Sequence, residues 1–577
     1  MVHIRRQSVW CYIDMERSNP RAVKWLHMVL TISTQAYVRG KLEFYKLRLF
    51  DLRRKRFPAG LLGTAYRRLK RKGYDVQVID DRPDPPKIKP LPKSCSHLYD
   101  YQKAAVRACL KRRHGIVRIA TGGGKTEVAV GLASRVNCPT LFLVDERSLV
   151  QQARERWAKI TGKPAGIIGE GRFEPNMEFT VATLQTLQRR LKRADPALVA
   201  YLLEVGCLIV DEAHVLGAKT YYRTVMSIPN AYYRIGLSAT PTGRSDQRDA
   251  YVIGAMGPII YKATIEKLVE QKKLAKALVL FYRYPGALNL EDYSAKWHHL
   301  YLMGMVREAA RNRAIIRICK ITPRPILVFF DRKAHGWILK DLLEEQGYNV
   351  EIVYGIHKGE ERLKLARQLG SGELDVLLAS KVFNKGVDIP EIRSAVNAAG
   401  YKAAITSMQK LGRPMRVSDG KVQFVYWDTV DDHHPTLLRH SRYRARIYKR
   451  EGLELRLVDS LKEAVEILGE VGMIYKVPWY APRDWLDLTY EEFANGLGTV
   501  VEDTGGEDNG RREEDISHLS NGSGMRSGAR IGQIQPRFSR WGGQKRHRGR
   551  EMAEDHLSRT SKSRQPKGGA RSGVRSS

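Results

Sequence analysis

The chain has 577 residues, of which 99 are Lys or Arg and 62 are Asp or Glu, so its formal net charge is +37. This charge favours polyanionic partners, such as nucleic acid or an acidic membrane surface, without specifying a fold. The hydrophobic fraction of 43% is ordinary for globular domains and excludes a wholly disordered chain.

Membrane insertion, secretion and zinc binding are all unexpected from the sequence. No apolar run approaches the roughly 18 residues that a membrane-spanning helix needs. Residues 1–18 lack the apolar core of a secretory signal. The six cysteines are scattered and form no Cys-x-x-Cys pair, so neither a structural zinc site nor a disulfide framework is expected. A reducing, cytoplasmic location fits these features best.

The first 95 residues predict a small basic module. Residues 1–97 hold 22 Lys or Arg against 8 Asp or Glu. A helical pattern over 61–72 and an alternating strand pattern over 74–79 indicate an α+β fold. Five prolines between Asp80 and Pro92 predict an extended linker, because proline lacks an N–H donor and fixes φ. We expect the module to bind nucleic acid through its phosphates.

Residues 96–435 alternate short apolar runs with longer helical patterns. The runs at 140–144, 207–210, 326–330 and 376–379 are continuous and apolar. Such alternation predicts parallel sheets that are covered by helices on both faces. The length suits two α/β domains, which we place at residues 96–275 and 276–435.

Two segments follow the predicted α/β domains. Residues 436–498 are expected to form a helical, aromatic-rich extension. Residues 499–577 are dominated by Gly, Ser and Arg. That composition buries too little apolar area to offset the entropy of ordering, so the sequence predicts a disordered basic tail.

A phosphate-binding loop is predicted where an apolar strand, 115–119, meets a helical pattern. Glycines allow backbone N–H groups to close around phosphates at a helix N-terminus. Lys125 would reach the β and γ phosphates, and Thr126 would ligate Mg²⁺. The strict pattern requires glycine where this chain has Ile119, so the loop alone is a weak signal. The nucleotide-binding residues predicted here are Thr121, Gly122, Gly123, Gly124, Lys125 and Thr126.

An acidic pair follows the second strong apolar run. Asp211 and Glu212 come directly after residues 207–210, where α/β sheets bind ligands. Asp211 would hold Mg²⁺, and Glu212 would orient or deprotonate the attacking water. An isolated acidic pair could instead lie at a helix N-terminus. Its position 86 residues after Lys125 favours one nucleoside triphosphatase domain.

With these residues in place, the chain resembles the superfamily 2 helicases and translocases over residues 98–416. Asp211 to His214 matches their Asp-Glu-Ala-His motif II, and all motifs appear in family order. The resemblance implies two tandem RecA-like domains, ATP and Mg²⁺. The other matching segments are the Q-motif region at 98–102, motif Ia at 141–152, motif Ib at 181–187, motif III at 238–240, motif IV at 325–331, motif V at 380–390 and motif VI at 409–416.

The resemblance also implies roles for individual residues. Gln102 would read adenine, and the residues that would couple hydrolysis to movement are His214, Ser238 and Thr240. The residues expected to contact the nucleic-acid backbone are Arg147, Thr183, Gln185 and Ser380. Those that would complete the nucleotide site from motifs V and VI are Gly386, Asp388, Gln409, Arg413 and Arg416.

Motif VI has a physical rationale of its own. The transition state of phosphoryl transfer spreads negative charge over oxygens, so a cation from across a cleft stabilises it when the cleft closes. Arg413 and Arg416 lie three residues apart and would share a helix face. We expect Arg416 to be the arginine finger, and Arg413 to contact the γ-phosphate or Glu212.

Three functions follow from this pattern. The first is an ATP-dependent DNA helicase or translocase acting on duplex or branched DNA, or on RNA in R-loops, in replication, recombination or repair. The motif wording is similar to the branch that holds XPB-type translocases, restriction-enzyme motors and phage UvsW-type helicases, the last most of all. In a phage-encoded protein the location would be the host cytoplasm. The second is an RNA helicase, which the Arg-rich tail would suit equally. The third, a non-catalytic nucleic-acid clamp, is disfavoured because Lys125, Asp211, Glu212 and Arg416 are all present.

Overall fold

The computed structural model of the protein contains two parallel α/β lobes and a smaller N-terminal module. It describes residues 1–38, 41–242, 247–291, 293, 296–357, 359–380, 389, 391–400, 415 and 423–473. The predicted basic tail and most of motifs V and VI lie outside these residues. No helix among the described residues is long and apolar enough to cross a bilayer.

The N-terminal module is built on a four-stranded sheet with the order β5-β2-β1-β6. Strand β1 pairs in parallel with β6 and antiparallel with β2, while β3 and β4 form a separate antiparallel hairpin. The helix and strand predicted at 61–72 and 74–79 are confirmed. The elements are β1 (Val2–Arg6), β2 (Trp10–Ile13), α1 (Pro20–Val29), β3 (Thr31–Val38), β4 (Lys41–Arg48), β5 (Arg56–Pro58), α2 (Leu62–Arg71) and β6 (Val76–Asp80).

The first lobe is an eight-stranded sheet with the order β10-β9-β11-β8-β12-β13-β7-β14, antiparallel only between β9 and β10. Its central strands are buried because helices cover both faces. The elements are α3 (Asp100–Arg112), β7 (His114–Ile119), α4 (Lys125–Ala133), β8 (Thr140–Val144), α5 (Arg147–Thr161), β9 (Gly166–Gly169), β10 (Arg172–Glu174), β11 (Thr180–Thr183), α6 (Leu184–Lys192), α7 (Pro196–Glu204), β12 (Cys207–Val210), α8 (Lys219–Met226), β13 (Tyr233–Ser238), α9 (Asp249–Met256), β14 (Ile259–Ala263) and α10 (Ile265–Glu270).

The second lobe is a seven-stranded parallel sheet with the order β17-β18-β16-β19-β20-β15-β21. Within the predicted C-terminal extension, two helices flank a strand, β21, that completes this sheet beside β15. The elements are β15 (Lys276–Tyr282), α11 (Trp297–Tyr301), α12 (Ala309–Ile321), β16 (Ile326–Phe329), α13 (Lys333–Glu344), β17 (Val350–Val353), α14 (Gly359–Ser371), β18 (Val376–Ala379), β19 (Ser394–Asn397), β20 (Gln423–Thr429), α15 (Pro435–Arg450), β21 (Glu454–Val458) and α16 (Leu461–Glu470).

The N-terminal module shares its apolar core with the first lobe. One cluster of buried side chains runs from Val2 and Leu69 in the module to Leu141 and Val252 in the lobe. The turn after β5 also packs directly on α9, where Gly60 lies against backbone atoms of that helix. The module is therefore fixed to the first lobe by burial.

The proline-rich segment at 81–92 contains no helix and one isolated bridge, and it does not act as a free spacer. Lys89 N donates to Arg135 O at 2.7 Å, and Asn137 N donates to Lys87 O at 3.0 Å. Ile88 forms an antiparallel bridge with Val136. The non-proline residues between the prolines keep backbone groups that can pair, and the turn after α4 offers them partners.

The contact of Gly60 with α9 can be tested with a single methyl group. A Cβ at Gly60 would lie 2.0 Å from Ile253 O and 2.7 Å from Gly254 O. Because both atoms belong to the backbone, we expect Gly60→Ala to destabilise the protein by about 1–3 kcal/mol or more, measured by thermal unfolding. Gly63→Ala is the control, since its Cβ would meet only Arg67 Nη1 at 3.5 Å and alanine favours the helix. Equal losses in both variants would contradict this account.

Candidate nucleotide site and nucleic-acid interface

Three neighbouring strands of the first lobe end at one edge and carry the predicted nucleotide-binding residues. Strand β7 leads into the loop 120–124, β12 into Asp211, and β13 ends at Ser238. These strands are adjacent in the order β12-β13-β7. Because their carboxyl ends meet at one edge, residues from distant parts of the chain form a single site.

The glycines of the loop are required by its backbone and its neighbours. Gly122 and Gly124 have φ values of 86° and 71°, in the left-handed region that favours glycine. A Cβ at Gly124 would lie 2.3 Å from Gln102 Nε2, and one at Gly123 would lie 2.5 Å from Ile119 Cγ2. Ile119, which replaces the glycine of the strict pattern, thus packs directly against the loop.

Lys125 and Glu212 form an ion pair at the centre of the site. Lys125 Nζ lies 2.8 Å from Glu212 Oε1, and His214 Nδ1 lies 3.2 Å from Glu212 Oε2. Burial raises the pKa of the Glu212 carboxyl, but Lys125 and His214 outweigh burial and hold that pKa below its usual value. Glu212 has φ 46°, a left-handed conformation that is costly for a residue with a side chain and is typical of functional sites.

Asp211 is a carboxylate with spare bonding capacity. Its Oδ1 is buried and has no hydrogen-bond partner among the described residues. Burial, with the adjacent Glu212 charge, raises the pKa of Asp211 to about 6. A hard divalent cation would relieve both effects, and oxygen ligands are those that Mg²⁺ prefers. Asp211 therefore fits the predicted metal role, with Thr126 beside Lys125 at the start of α4.

Motifs II and III are in direct contact. His214 Nδ1 lies 3.3 Å from Ser238 Oγ, which in turn accepts a hydrogen bond from Thr240 N at 3.2 Å. Thr240 Oγ1 is buried without a partner among the described residues. The structure thus brings together the three residues predicted to couple hydrolysis to movement.

Gln102 lies against the phosphate-binding loop. Its Oε1 accepts from Tyr99 N at 2.9 Å, which caps α3, and its Nε2 donates to Gly123 O at 3.4 Å. Tyr101 OH also donates to Gly123 O, at 2.9 Å. Gln102 therefore supports the loop in this structure, and its role in reading adenine stays a prediction.

The predicted nucleic-acid contacts occupy two kinds of position. Arg147 is exposed at the first turn of α5. The Thr183 hydroxyl instead caps α6, and Gln185 Nε2 donates to Asp145 O at 2.8 Å. The hydrogen bond between Gln185 and Asp145 therefore joins motif Ib to motif Ia. Of Arg147, Thr183 and Gln185, Arg147 is the one that presents a charge at the surface. Ser380 is buried directly after β18, and its Oγ has no partner among the described residues.

Most of motifs V and VI lies outside the residues that the structure describes. The predicted positions that lie outside the described residues are Gly386, Asp388, Gln409, Arg413 and Arg416. Met415 is described, and its carbonyl accepts a hydrogen bond from Ala275 N at 2.7 Å, just before β15. The arginine finger stays a prediction.

Sequence reasoning missed a contact between the two lobes. Arg118, on β7, donates from Nη2 to both carboxylate oxygens of Glu451 at 2.5 Å, and from Nε to Ala239 O at 3.2 Å. Glu451 follows α15 of the second lobe and is buried. The available signal was an arginine within an otherwise apolar strand, but nothing local identified its partner. One guanidinium thus links motif III to the second lobe.

Among the described residues, no group of three or more His, Cys, Asp or Glu side chains could hold a metal ion. The six cysteines are free thiols, and all but Cys138 are buried.

The fold and site define a P-loop nucleoside triphosphatase with two α/β lobes. Residues 96–243 match the family described as the type III restriction enzyme res subunit, and residues 310–418 match the helicase conserved C-terminal domain. These two models match in the order that the superfamily 2 helicases and translocases have, which is the family that the sequence resembles. The resemblance seen in the sequence is confirmed.

Known relatives match more than half of this chain. The chain is 28% identical over 381 residues to the DNA 3'-5' translocase XPB2 of Sulfurisphaera tokodaii, covering 60% of this chain and 83% of that protein. It is 24% identical over 349 residues to the ATP-dependent DNA helicase uvsW of Enterobacteria phage T4, covering 57% and 68%. Across three of the relatives the match spans from 50% to 83% of their length.

One solved structure similar to this chain is that of T4 UvsW. The two share 20% identity, and the match covers 79% of this chain and 99% of the other with a TM-score of 0.38. A TM-score this low supports no inference about function.

Lys125→Ala separates hydrolysis from nucleic-acid binding. We expect ATP hydrolysis to fall by about 100-fold or more, because the loop loses its cation and Glu212 loses its ion-pair partner. Binding should be nearly unchanged, since charge elsewhere supplies most of the affinity. Steady-state hydrolysis and fluorescence anisotropy measure the two properties. Lys111→Ala, an exposed lysine on α3, is the control. Parallel losses of both properties in Lys125→Ala would refute this separation.

Glu451→Gln tests the contact between the lobes. The variant keeps the side-chain shape but removes the charge that pairs with Arg118, so the nucleotide-free lobes should separate more readily. Small-angle X-ray scattering should show a larger radius of gyration. Glu454→Gln is the control, because Glu454 pairs with Lys276 within the second lobe, at 2.7 Å. An unchanged radius in Glu451→Gln would show that the pair does not hold the lobes together.

Proposed function

We propose that the chain is an ATP-dependent DNA helicase or translocase that remodels or unwinds duplex or branched DNA, R-loops included, in replication, recombination or repair. One observation carries the proposal. A continuous set of contacts runs from Lys125 of the phosphate-binding loop through Glu212 and His214 to Ser238 of motif III. This is the connection that a motor needs between hydrolysis and movement.

Each residue of the nucleotide site would have its own role in ATP hydrolysis. Lys125 would leave Glu212 for the phosphates of ATP, because a polyphosphate carries more charge than one carboxylate. The Glu212 carboxylate would then be available to orient or deprotonate the attacking water. Asp211 and Thr126 would hold Mg²⁺, which supplies charge neutralisation at the phosphates when bound.

Movement would follow from the same exchange of partners. A change at Glu212 reaches Ser238 through His214. The adjacent Ala239 carbonyl accepts from Arg118, which also binds Glu451 of the second lobe. Loss or gain of the phosphate therefore acts on a contact between the lobes, which is how a motor of this architecture opens and closes.

The choice of DNA rests on three supports. Motif II reads Asp-Glu-Ala-His, as in the DNA-directed branch that the sequence resembles. The XPB2 translocase and the uvsW helicase described above are both named for DNA. The net charge of +37 suits a phosphate backbone. An RNA helicase stays the alternative, and matched substrates decide between the two.

The test is ATP hydrolysis by the wild type and Glu212→Gln with four additions: no nucleic acid, duplex DNA, a four-way junction, and RNA of matched length. We expect duplex or junction DNA to stimulate the wild type by about tenfold or more and to leave Glu212→Gln inactive. Stimulation by RNA alone would replace the proposal with the RNA alternative. Hydrolysis that no nucleic acid changes would contradict a motor of either kind.

A further inference from the structure

A groove of about 1550 Å³ separates the N-terminal module from helix α8 of the first lobe. One wall is the β3–β4 hairpin with the following turn, residues 49–56, and the other is α8 with the start of α9. We call it the hairpin groove and define it by six lining residues: Trp10, Phe44, Arg48, Arg53, Lys219 and Arg223.

The hairpin groove is strongly basic. Its full lining comprises 22 described residues, of which seven are Lys or Arg and one, Asp51, is acidic. Lys219 and Arg223 lie one turn apart on α8, so both face the same side, and both are exposed. No described carboxylate forms an ion pair with Arg48, Arg53, Lys219 or Arg223. These cations come from the N-terminal module and from the first lobe and converge on one space, which favours a polyanionic ligand.

Aromatic side chains lie between these cations. Phe44, on β4, is 78% exposed, which is unusual for a phenylalanine on a hairpin with no other function. The Trp10 ring faces the groove and carries the Arg56 guanidinium 4.0 Å from its centroid. Tyr222 and Tyr251 stack at 4.6 Å and line the opposite wall. Tyr222 and Tyr251 are buried and Trp10 is half-buried, so Phe44 and Trp10 are the rings open to a bound strand. Accessible rings beside cations are typical of surfaces that bind unpaired bases and their phosphates together.

The groove is a fixed feature rather than a chance gap. Arg248 Nε, just before α9, donates to Tyr45 OH at 2.7 Å and holds the hairpin to the first lobe. The packing of Gly60 against α9 fixes the other end of the module. Both walls therefore keep their spacing through two contacts, one at Tyr45 in the groove lining and one at Gly60 outside it.

We propose that the hairpin groove binds a single strand of nucleic acid, with bases stacking on Phe44 and Trp10 and phosphates on Arg48, Arg53, Lys219 and Arg223. The inference rests on the proposed function, from which it takes DNA as the substrate. The site is separate from motifs Ia and Ib, whose residues line no part of the groove. Duplex DNA would use the cations but would leave the rings without bases to stack on, because its bases are already paired and stacked.

The experiment measures anisotropy with single-stranded DNA of about 15 nucleotides, the matching RNA, and the matching duplex, over a range of salt concentrations. Phe44→Ala should weaken binding of single strands about fivefold or more and leave the duplex unchanged, and Phe44→Trp should restore it. Lys219→Ala/Arg223→Ala should lower the salt slope for single strands by about 1.4, the release from two phosphates. Lys364→Ala/Arg367→Ala, which removes two exposed cations from α14, should leave both affinity and slope unchanged.

The outcomes separate the groove from the motor. If DNA neither binds the wild type nor stimulates its hydrolysis, the proposed function and the groove both fail. If DNA stimulates the wild type and the groove variants bind single strands normally, only the groove fails. Equal losses for duplex and single strands, with no effect of Phe44→Ala, would replace the single-strand site with a backbone site. A loss confined to RNA would overturn DNA as the strand. Thermal unfolding should be unchanged in all variants, because the substituted side chains are exposed.

Discussion

The ion pair between Lys125 and Glu212 is the interaction on which the rest of the site depends. Asp211 and Glu212 are adjacent, half-buried carboxylates, and two such charges repel unless a cation neutralises one of them. The left-handed backbone at Glu212 turns its carboxylate to Lys125, while Asp211 keeps an oxygen without a described partner. Lys125 thus neutralises the charge of Glu212, while Asp211 lacks a cation. ATP and a divalent cation would reverse this, because Lys125 would turn to the phosphates and the divalent cation would bind Asp211.

The effect of such a reversal can be followed through physical contacts. His214 touches both Glu212 and Ser238, and the carbonyl of the next residue, Ala239, binds Arg118. Arg118 also donates from Nη2 to Glu451, so its guanidinium has two partners that belong to different lobes. A displacement of the motif III backbone must change this geometry, because a planar guanidinium cannot follow two acceptors that move apart. These contacts are the ones through which a change at Glu212 would reach the second lobe.

The sequence predicted the strands and motifs that depend on local residue patterns. It missed the contacts between residues that only the tertiary fold brings together. Strands 140–144 and 207–210 were predicted with their observed bounds, because continuous apolar runs are characteristic of buried parallel strands. Glu212 and Lys125 were predicted from their motifs, and the sheet order brings them together. Arg118 and Glu451 are 333 residues apart in the sequence, so no local residue pattern indicates that they form a pair. The docking of the N-terminal module depends on the absence of a side chain at Gly60, which becomes meaningful only when α9 is in place.

That docking changes how a bound strand would relate to the motor cycle. Because the module and the first lobe share one core, the hairpin and α8 move as a single body. The second lobe meets the first through buried apolar side chains as well, in a cluster that includes Leu268 and Phe281, and through the pair of Arg118 and Glu451. Contacts divided between the lobes must loosen whenever the lobes separate. A strand in the hairpin groove would instead stay with the first lobe throughout, so the groove would act as a fixed grip while the contacts shared between the lobes are released and remade.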